Sequence, residues 1–270
     1  MKSFTGVIIS DLHSGDRLAP LAEDFETLDG ESQEPNPIQR ALNTALNSVA
    51  EEWAKPDLLV SLGDATGGQD RHSAGTSVWS TQPLDQVNNA AQLLKKFHAK
   101  HTAIIRGSGY HVSVNGLPVE EVLAEKLHAL PCGSGNMRSA LKFMFEKYGL
   151  RLHFAHHVPS SQVEWYLTTP IAKEGIRIAL QEGRLGKVHA VFRGHNHYYV
   201  KVEFWNQLLI SCPCWVMPGD FMHKKSGEPV TTIGAVRFQL TDKPDDLGKQ
   251  IRTQKLLFPI KEANTRVVTI

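Results

Sequence analysis

The chain has 270 residues, 41% of them hydrophobic and 21% charged, with a formal net charge of +1. That length holds a large core in one domain with insertions, and so even a charge balance argues against a protein that grips long nucleic acid mainly by electrostatics. Three cysteines, an odd count with no repeated framework, argue against a disulfide scaffold and fit a reducing compartment.

Ile8-Ile9-Ser10-Asp11-Leu12-His13 is an apolar run that ends on a carboxylate and an imidazole. In extended chain residues i and i+2 share a face, so Asp11 and His13 can converge on one point. Such a pair suits zinc, manganese or iron better than calcium or copper(I). A helix cap and a loop histidine are the plainer reading of one such pair. The polar stretch from about residue 14 to 35 is expected to be a loop or small insertion over the site. Asn36-Pro37-Ile38-Gln39 then reads as a helix start, with Asn36 as cap and Pro37 at the first helical position. Ile38, Ala41, Leu42, Ala45, Leu46, Val49 and Trp53 follow at helical spacing.

A second strand, 57–62, ends at Gly63-Asp64, where glycine permits a tight turn that aims Asp64 inward. One carboxylate has two oxygens, so Asp64 can bridge two ions about 3.5–4 Å apart. His72 is expected in a loop. An amphipathic helix is expected over 83–100, with Leu84, Val87, Ala91, Leu94 and Phe97 on one side and His98 and His101 near its end. The third strand, 102–105, leads into Arg106-Gly107-Ser108-Gly109-Tyr110-His111. Helices are expected over 118–130 and, by the spacing of Met137, Leu141, Met144, Phe145 and Tyr148, over 137–148, where part of the segment also reads as strand.

The fourth strand, 150–155, ends at His156-His157, which point to opposite faces if the strand persists. Thr169-Pro170 starts a helix that closes near Gly183. The fifth run ends at Gly194-His195-Asn196-His197, and 200–205, 208–210 and 232–240 read as short strands. Cys212 and Cys214 have metal-binding spacing, but the inner-strand setting favours small buried residues. After Asp242 a polar, lightly basic extension is expected, with little regular structure until Val267-Val268; the domain is placed at 1–245 and the extension at 246–270.

Five apolar runs thus stop on metal-competent residues, and in open α/β sheets ligands gather outside the carboxyl ends of the strands. Thirteen histidines matter here less for their number than for that placement. No run reaches the roughly 18 apolar residues of a membrane span. Met1-Lys2 passes almost at once into a strand without a separate apolar signal region, so a cytoplasmic location is expected.

Taken in order, Asp11-x-His13, Gly63-Asp64, a glycine turn with His111, His156-His157 and Gly194-His195-x-His197 resemble the calcineurin-like metallophosphoesterase family, over about residues 6–200. The resemblance implies an α/β fold, a four-layered α/β/β/α sandwich, with two divalent ions (manganese, zinc or iron) at the strand ends. It implies one ion on Asp11, His13, Asp64 and His197, and a second on Asp64, a histidine of the fourth strand and His195, with a metal-bound hydroxide attacking phosphorus. The family's usual Gly-Asn-His is replaced by Gly107-Ser108, with the histidine at 111. This is similar to the Gly-Thr-x-x-His variant of bacteriophage-type members. His111 is then implied as general acid toward the leaving oxygen, and Ser108 or water stands in for the asparagine. Between the adjacent histidines, His156 directly follows the apolar run, whereas His157-Val158-Pro159 matches a His-x-Pro form of some relatives.

The activity implied is hydrolysis of a phosphate monoester or diester, with a small phosphate ester or nucleotide as substrate and Arg106 and Arg193 as substrate-binding candidates. A nuclease of the same family would need a basic and aromatic groove. Arg17, Arg71, Arg106 and Arg193 supply charge but no continuous run. A family scaffold that keeps its metals as a binding module is the alternative outside enzymes. The metallo-β-lactamase cluster, the Gly-x-Ser-x-Gly elbow and the Walker loop are all absent.

Overall fold

The apolar runs are continuous rather than alternating because the strands they form are covered on both faces. The computed structural model describes residues 1–69, 74–114, 117–159, 163–204, 206–219, 230–245 and 248–260; Arg71, His72, Trp205 and the Val267-Val268 pair lie outside them. Eleven strands build two sheets. They are β1 (Ser3–Ile9), β2 (Leu58–Leu62), β3 (His101–Ile105), β4 (Ser139–Ala140), β5 (Lys142–Lys147), β6 (Leu150–Ala155), β7 (Ala190–Arg193), β8 (Val200–Phe204), β9 (Gln207–Ser211), β10 (Ile233–Thr241) and β11 (Ile251–Phe258). The first sheet has the order β11-β10-β1-β2-β3-β4 and the second β8-β9-β7-β6-β5. β1 to β4 run parallel, as do β6, β7 and β9, whereas β5, β8, β10 and β11 each run antiparallel to a neighbour.

Alternate residues of each strand serve different cores. Val7 and Ile9 of β1, Leu59 of β2 and Ile104 of β3 pack with Leu42, Leu46 and Val49 of helix α1 (Pro37–Glu52), with Val87 and Leu94 of α2 (Pro83–Lys95), and with Leu123 beyond. Ile8, Val60 and Ile105 turn the other way and meet Leu152, Phe154 and Phe192 of the second sheet. Phe154 and Phe192, paired in register, stack with ring centroids 5.0 Å apart. A third cluster joins Val191 and Leu209 to Ile171 and Ile178 of a helix over Thr169–Ala179. Helix, sheet, sheet, helix is the order of the layers, the α/β/β/α sandwich that the motifs imply.

The α1 start is as expected: the Asn36 side chain accepts from the Gln39 amide, and the Gln39 side chain accepts from the Asn36 amide. Ala41 and Leu84, expected on buried stripes, are exposed. Residues 14–35 are anchored rather than loose. Ala22 donates to Asn89 and Leu28 to Asp85, both on the buried face of α2, and a short hairpin pairs Phe25–Glu26 with Ser32–Gln33.

Two expectations are corrected. Residues 137–148 hold strands β4 and β5 and no helix, because Phe143 and Phe145 alternate toward the inter-sheet core. The segment after Asp242 is not irregular: 251–258 forms β11, an edge strand in full register with β10. Its polarity belongs to an edge, where one face and one row of backbone groups meet solvent.

His153 of β6 lies under the Thr169–Ala179 helix layer. Burial, with the charges of Arg193 and Lys142, pushes its imidazole down to about 3. The folded state therefore binds fewer protons than the unfolded chain between there and about pH 6.5, so stability is complete above that range and falls with acidification through it, by up to about 1.4 kcal/mol per pH unit. His153→Leu is expected to flatten the acid side of a plot of Tm against pH, and an unchanged slope would clear this residue of the effect.

Candidate metal centre

Three of the five strands that the motifs terminate, β1, β2 and β7, deliver their ligands through turns of unusual backbone. Asp11, His13, Asp64, His195 and His197 all have positive φ, between 45° and 70°. Asp and His tolerate this region better than most side chains, but five such residues at one place is strain of the kind held at functional sites. Gly63, at φ 88°, has no room for a side chain, since a Cβ there would fall 2.5 Å from the His156 ring. The turns after β1 and β2 run side by side, with Asp11 N donating to Gly63 O (3.1 Å) and His13 N to Asp64 O (2.9 Å).

The donor atoms fall into overlapping groups, each within 4.8 Å: Asp11, His13 and His197; His13, Asp64 and His111; Asp11, Asp64 and His156; His156, His157 and His195. Asp64 thus faces both halves of the cluster. Its Oδ2 lies 3.0 Å from His156 Nε2, and both its oxygens accept from Ser108 Oγ, at 3.0 and 3.1 Å. Asp11 Oδ1 lies 3.2 Å from His197 Nε2, and both Asp11 oxygens accept from the His195 amide. Ser10 Oγ donates to Asp11 as well.

The two adjacent histidines do not diverge. β6 ends at Ala155, and both rings lie just over 5 Å from that of His195. His156 is buried and reaches the carboxylates, whereas His157 is exposed. His111, on a short helix, α3 (Gly109–Val112), has Nδ1 2.7 Å from Gly67 O. A carbonyl only accepts, so Nδ1 carries the proton. The ring meets His13 edge to face at 4.5 Å.

The electrostatics favour a cation. Burial is the largest single influence on Asp11 and Asp64 and opposes their charge, but His156 and His197 at Asp11, and His156, His111 and His13 at Asp64, together hold both carboxyls below the usual range. Burial likewise opposes charge on His156, yet Asp11 and Asp64 push its imidazole up to about 10. His13 goes the other way: burial, His111 and His197 lower it, and its buried Nε2 has no hydrogen-bond partner among the described residues. A neutral imidazole with an unpartnered nitrogen beside two ionised carboxylates fits the donor set of a divalent metal ion.

Other candidates are placed elsewhere. Arg193, expected to meet substrate, is fully buried and pairs with Glu174 at 2.8 Å under the outer helix. Though it ends β7, it uses the same strand face as Val191, so its side chain turns to the outer-helix side. Arg106 is bonded to Ser139 and Met137, turned along the sheet edge. Exposed Arg17 bonds the Thr76 carbonyl. Cys212 and Cys214 are buried, and burial with the nearby Asp11 charge pushes both thiols up, so they belong to the core. His98 and His101 are exposed.

One residue at the centre escaped the sequence reading. Glu120 is fully buried, its carboxyl pushed up to about 8 by burial and by Asp64. It resembles an ordinary helix-start acid. The signal lies in its spacing, since Glu120, Leu123, Ala124 and Leu127 fall at i, i+3, i+4 and i+7, the apolar face.

No family model and no curated protein matches this sequence. Solved structures of similar arrangement include a predicted phosphoesterase from Streptococcus pneumoniae (9% identity, 96% of this chain and 95% of that one, TM-score 0.42). Vps29 from Entamoeba histolytica in complex with zinc is another (9% identity, 94% and 99%, TM-score 0.41). A third is a provisionally named 5'-nucleotidase from Staphylococcus aureus (12% identity, 99% and 56%, TM-score 0.47). The strand-end cluster of Asp and His offers the grouped donor atoms of a divalent metal site. No helix among the described residues is long and apolar enough to cross a membrane.

Proposed function

We propose that this chain is a metal-dependent phosphoesterase of the calcineurin-like family, hydrolysing a phosphate monoester or diester at a two-ion centre. The observation that carries the reading is the place of Asp64, its donor atoms within 4.8 Å of one from His13 on one side and of one from His156 on the other. Asp11, His13, Asp64 and His197 hold one ion; Asp64, His156 and His195 hold the second, with Ser108 in the place of the family's asparagine. Divalent ions bound there supply Lewis-acid polarisation of phosphoryl oxygen and acidify bound water. The remaining work belongs to side chains. His111, its Nδ1–H held by the Gly67 carbonyl, gives a proton from Nε2 to the leaving oxygen, and exposed His157 faces incoming substrate at the rim.

Metal content and hydrolysis measured on one reconstituted sample test this, with an aryl phosphate monoester and an aryl phosphodiester compared across manganese, zinc, iron and nickel. About two ions per chain, as in two-metal sites, with turnover of one ester are expected. One ion or none, without turnover under any metal, would exclude the phosphoesterase and leave a binding module.

A further inference from the structure

Glu120 lies in the first turn of a helix, α4 (Val119–Lys126), and its two carboxyl oxygens go to two different strand-end turns. Oε1 accepts from Ala65 N at 3.1 Å and Oε2 from Gly107 N at 2.7 Å. The first amide directly follows Asp64; the second directly precedes Ser108. Burying a carboxyl group is costly, and an apolar residue would serve the α4 stripe equally well if packing were its only purpose.

The two turns that Glu120 joins already press on each other. A Cβ on Gly107 would fall 2.0 Å from Asp64 Oδ1, and Ser108 donates to that oxygen through N at 2.6 Å and through Oγ at 3.0 Å. The distance between Asp64 and Ser108 therefore depends on how the turns are held from behind, and Glu120 is the one side chain bonded to both amides among the described residues. We infer that Glu120 is a positioning residue for the second metal ion, its carboxyl group latching the Asp64 and Ser108 turns at the spacing the ion needs where serine replaces asparagine. This inference rests on the two-ion reading above.

Glutamine at 120 can accept one of the two N–H groups but turns a donor toward the other. Aspartate keeps the carboxyl group but is one methylene too short to span both turns. The test titrates metal-stripped wild type, Glu120→Gln and Glu120→Asp with Mn²⁺ by calorimetry, and follows amide exchange at Ala65 and Gly107 without metal. Wild type is expected to bind in two steps; in the variants the first changes by less than about threefold, while the second weakens roughly 10–100-fold, as loss of groups supporting metal ligands does. The two amides are expected to exchange faster in the variants. A purely structural role would lower Tm and weaken both steps together, overturning the inference. Two unchanged Mn²⁺ steps in a folded variant would overturn it alone, whereas fewer than two ions in wild type would overturn the two-ion reading as well. If neither variant folds, Glu120 is a fold element and the positioning role is lost.

Discussion

Replacing Asp64 with asparagine is expected to leave the fold standing while removing the second metal ion and hydrolysis together. Asp64 has φ 46°, a conformation asparagine adopts readily, whereas Asp64→Ala adds roughly 1–2 kcal/mol of backbone strain to the loss of the ligand. Asparagine also keeps an oxygen for the Ser108 donors. What disappears is the negative charge shared by the two halves of the cluster. Turnover should fall by at least the roughly 10²–10³-fold that loss of one preorganised electrostatic group costs. A separate readout comes from linkage: metal at about 100 times its Kd stabilises a binding fold by about 2.7 kcal/mol per site. Mn²⁺ should therefore raise the Tm of wild type by more than that of Asp64→Asn. A variant that keeps two ions and full turnover would show that Asp64 is not the bridge.

The parts of this site that could be read from sequence are those where one residue type carries both local geometry and chemistry. Asp11, His13, Asp64, His195 and His197 stood out because each follows an apolar run, and the runs were long because both strand faces are buried. Their common left-handed backbone has no sequence signature beyond Gly63. The helix expected at 137–148 shows how periods collide: Met137, Leu141, Met144 and Tyr148 fit a helix, while Phe143 and Phe145, alternating, decide for a strand because the open edge of the second sheet lies beside them. β11 was hidden for the opposite reason, since an edge strand facing solvent on one side reads like a polar tail. Arg193 looked like a substrate ligand because it precedes Gly194-His195. Strand alternation sends it under the outer helix instead, to Glu174. Glu120 depends on a contact between α4 and two turns far from it in sequence, and no local pattern states that contact.

Replacing His111 with alanine should separate chemistry from metal binding. Its ring is fixed by Nδ1 at Gly67 O, 2.7 Å away, and its backbone carbonyl accepts from Thr66 Oγ1 at 2.9 Å, so the turn that presents it is fastened to the loop following Asp64. A group held there as general acid typically contributes roughly 10²–10⁴-fold to turnover. The size of the loss should depend on the ester. An aryl leaving group, stable as its anion, needs little protonation and should lose least; an alkyl leaving group needs the proton in the transition state and should lose most. His111→Ala is therefore expected to steepen the dependence of turnover on leaving-group pKa while metal content stays at the wild-type value. One nitrogen of His111 also lies within 4.8 Å of donor atoms of His13 and Asp64, which defines the competing outcome. If His111→Ala loses an ion and slows aryl and alkyl esters equally, His111 is a ligand, and the proton for the leaving group must come from elsewhere in the site, with exposed His157 the next residue to replace.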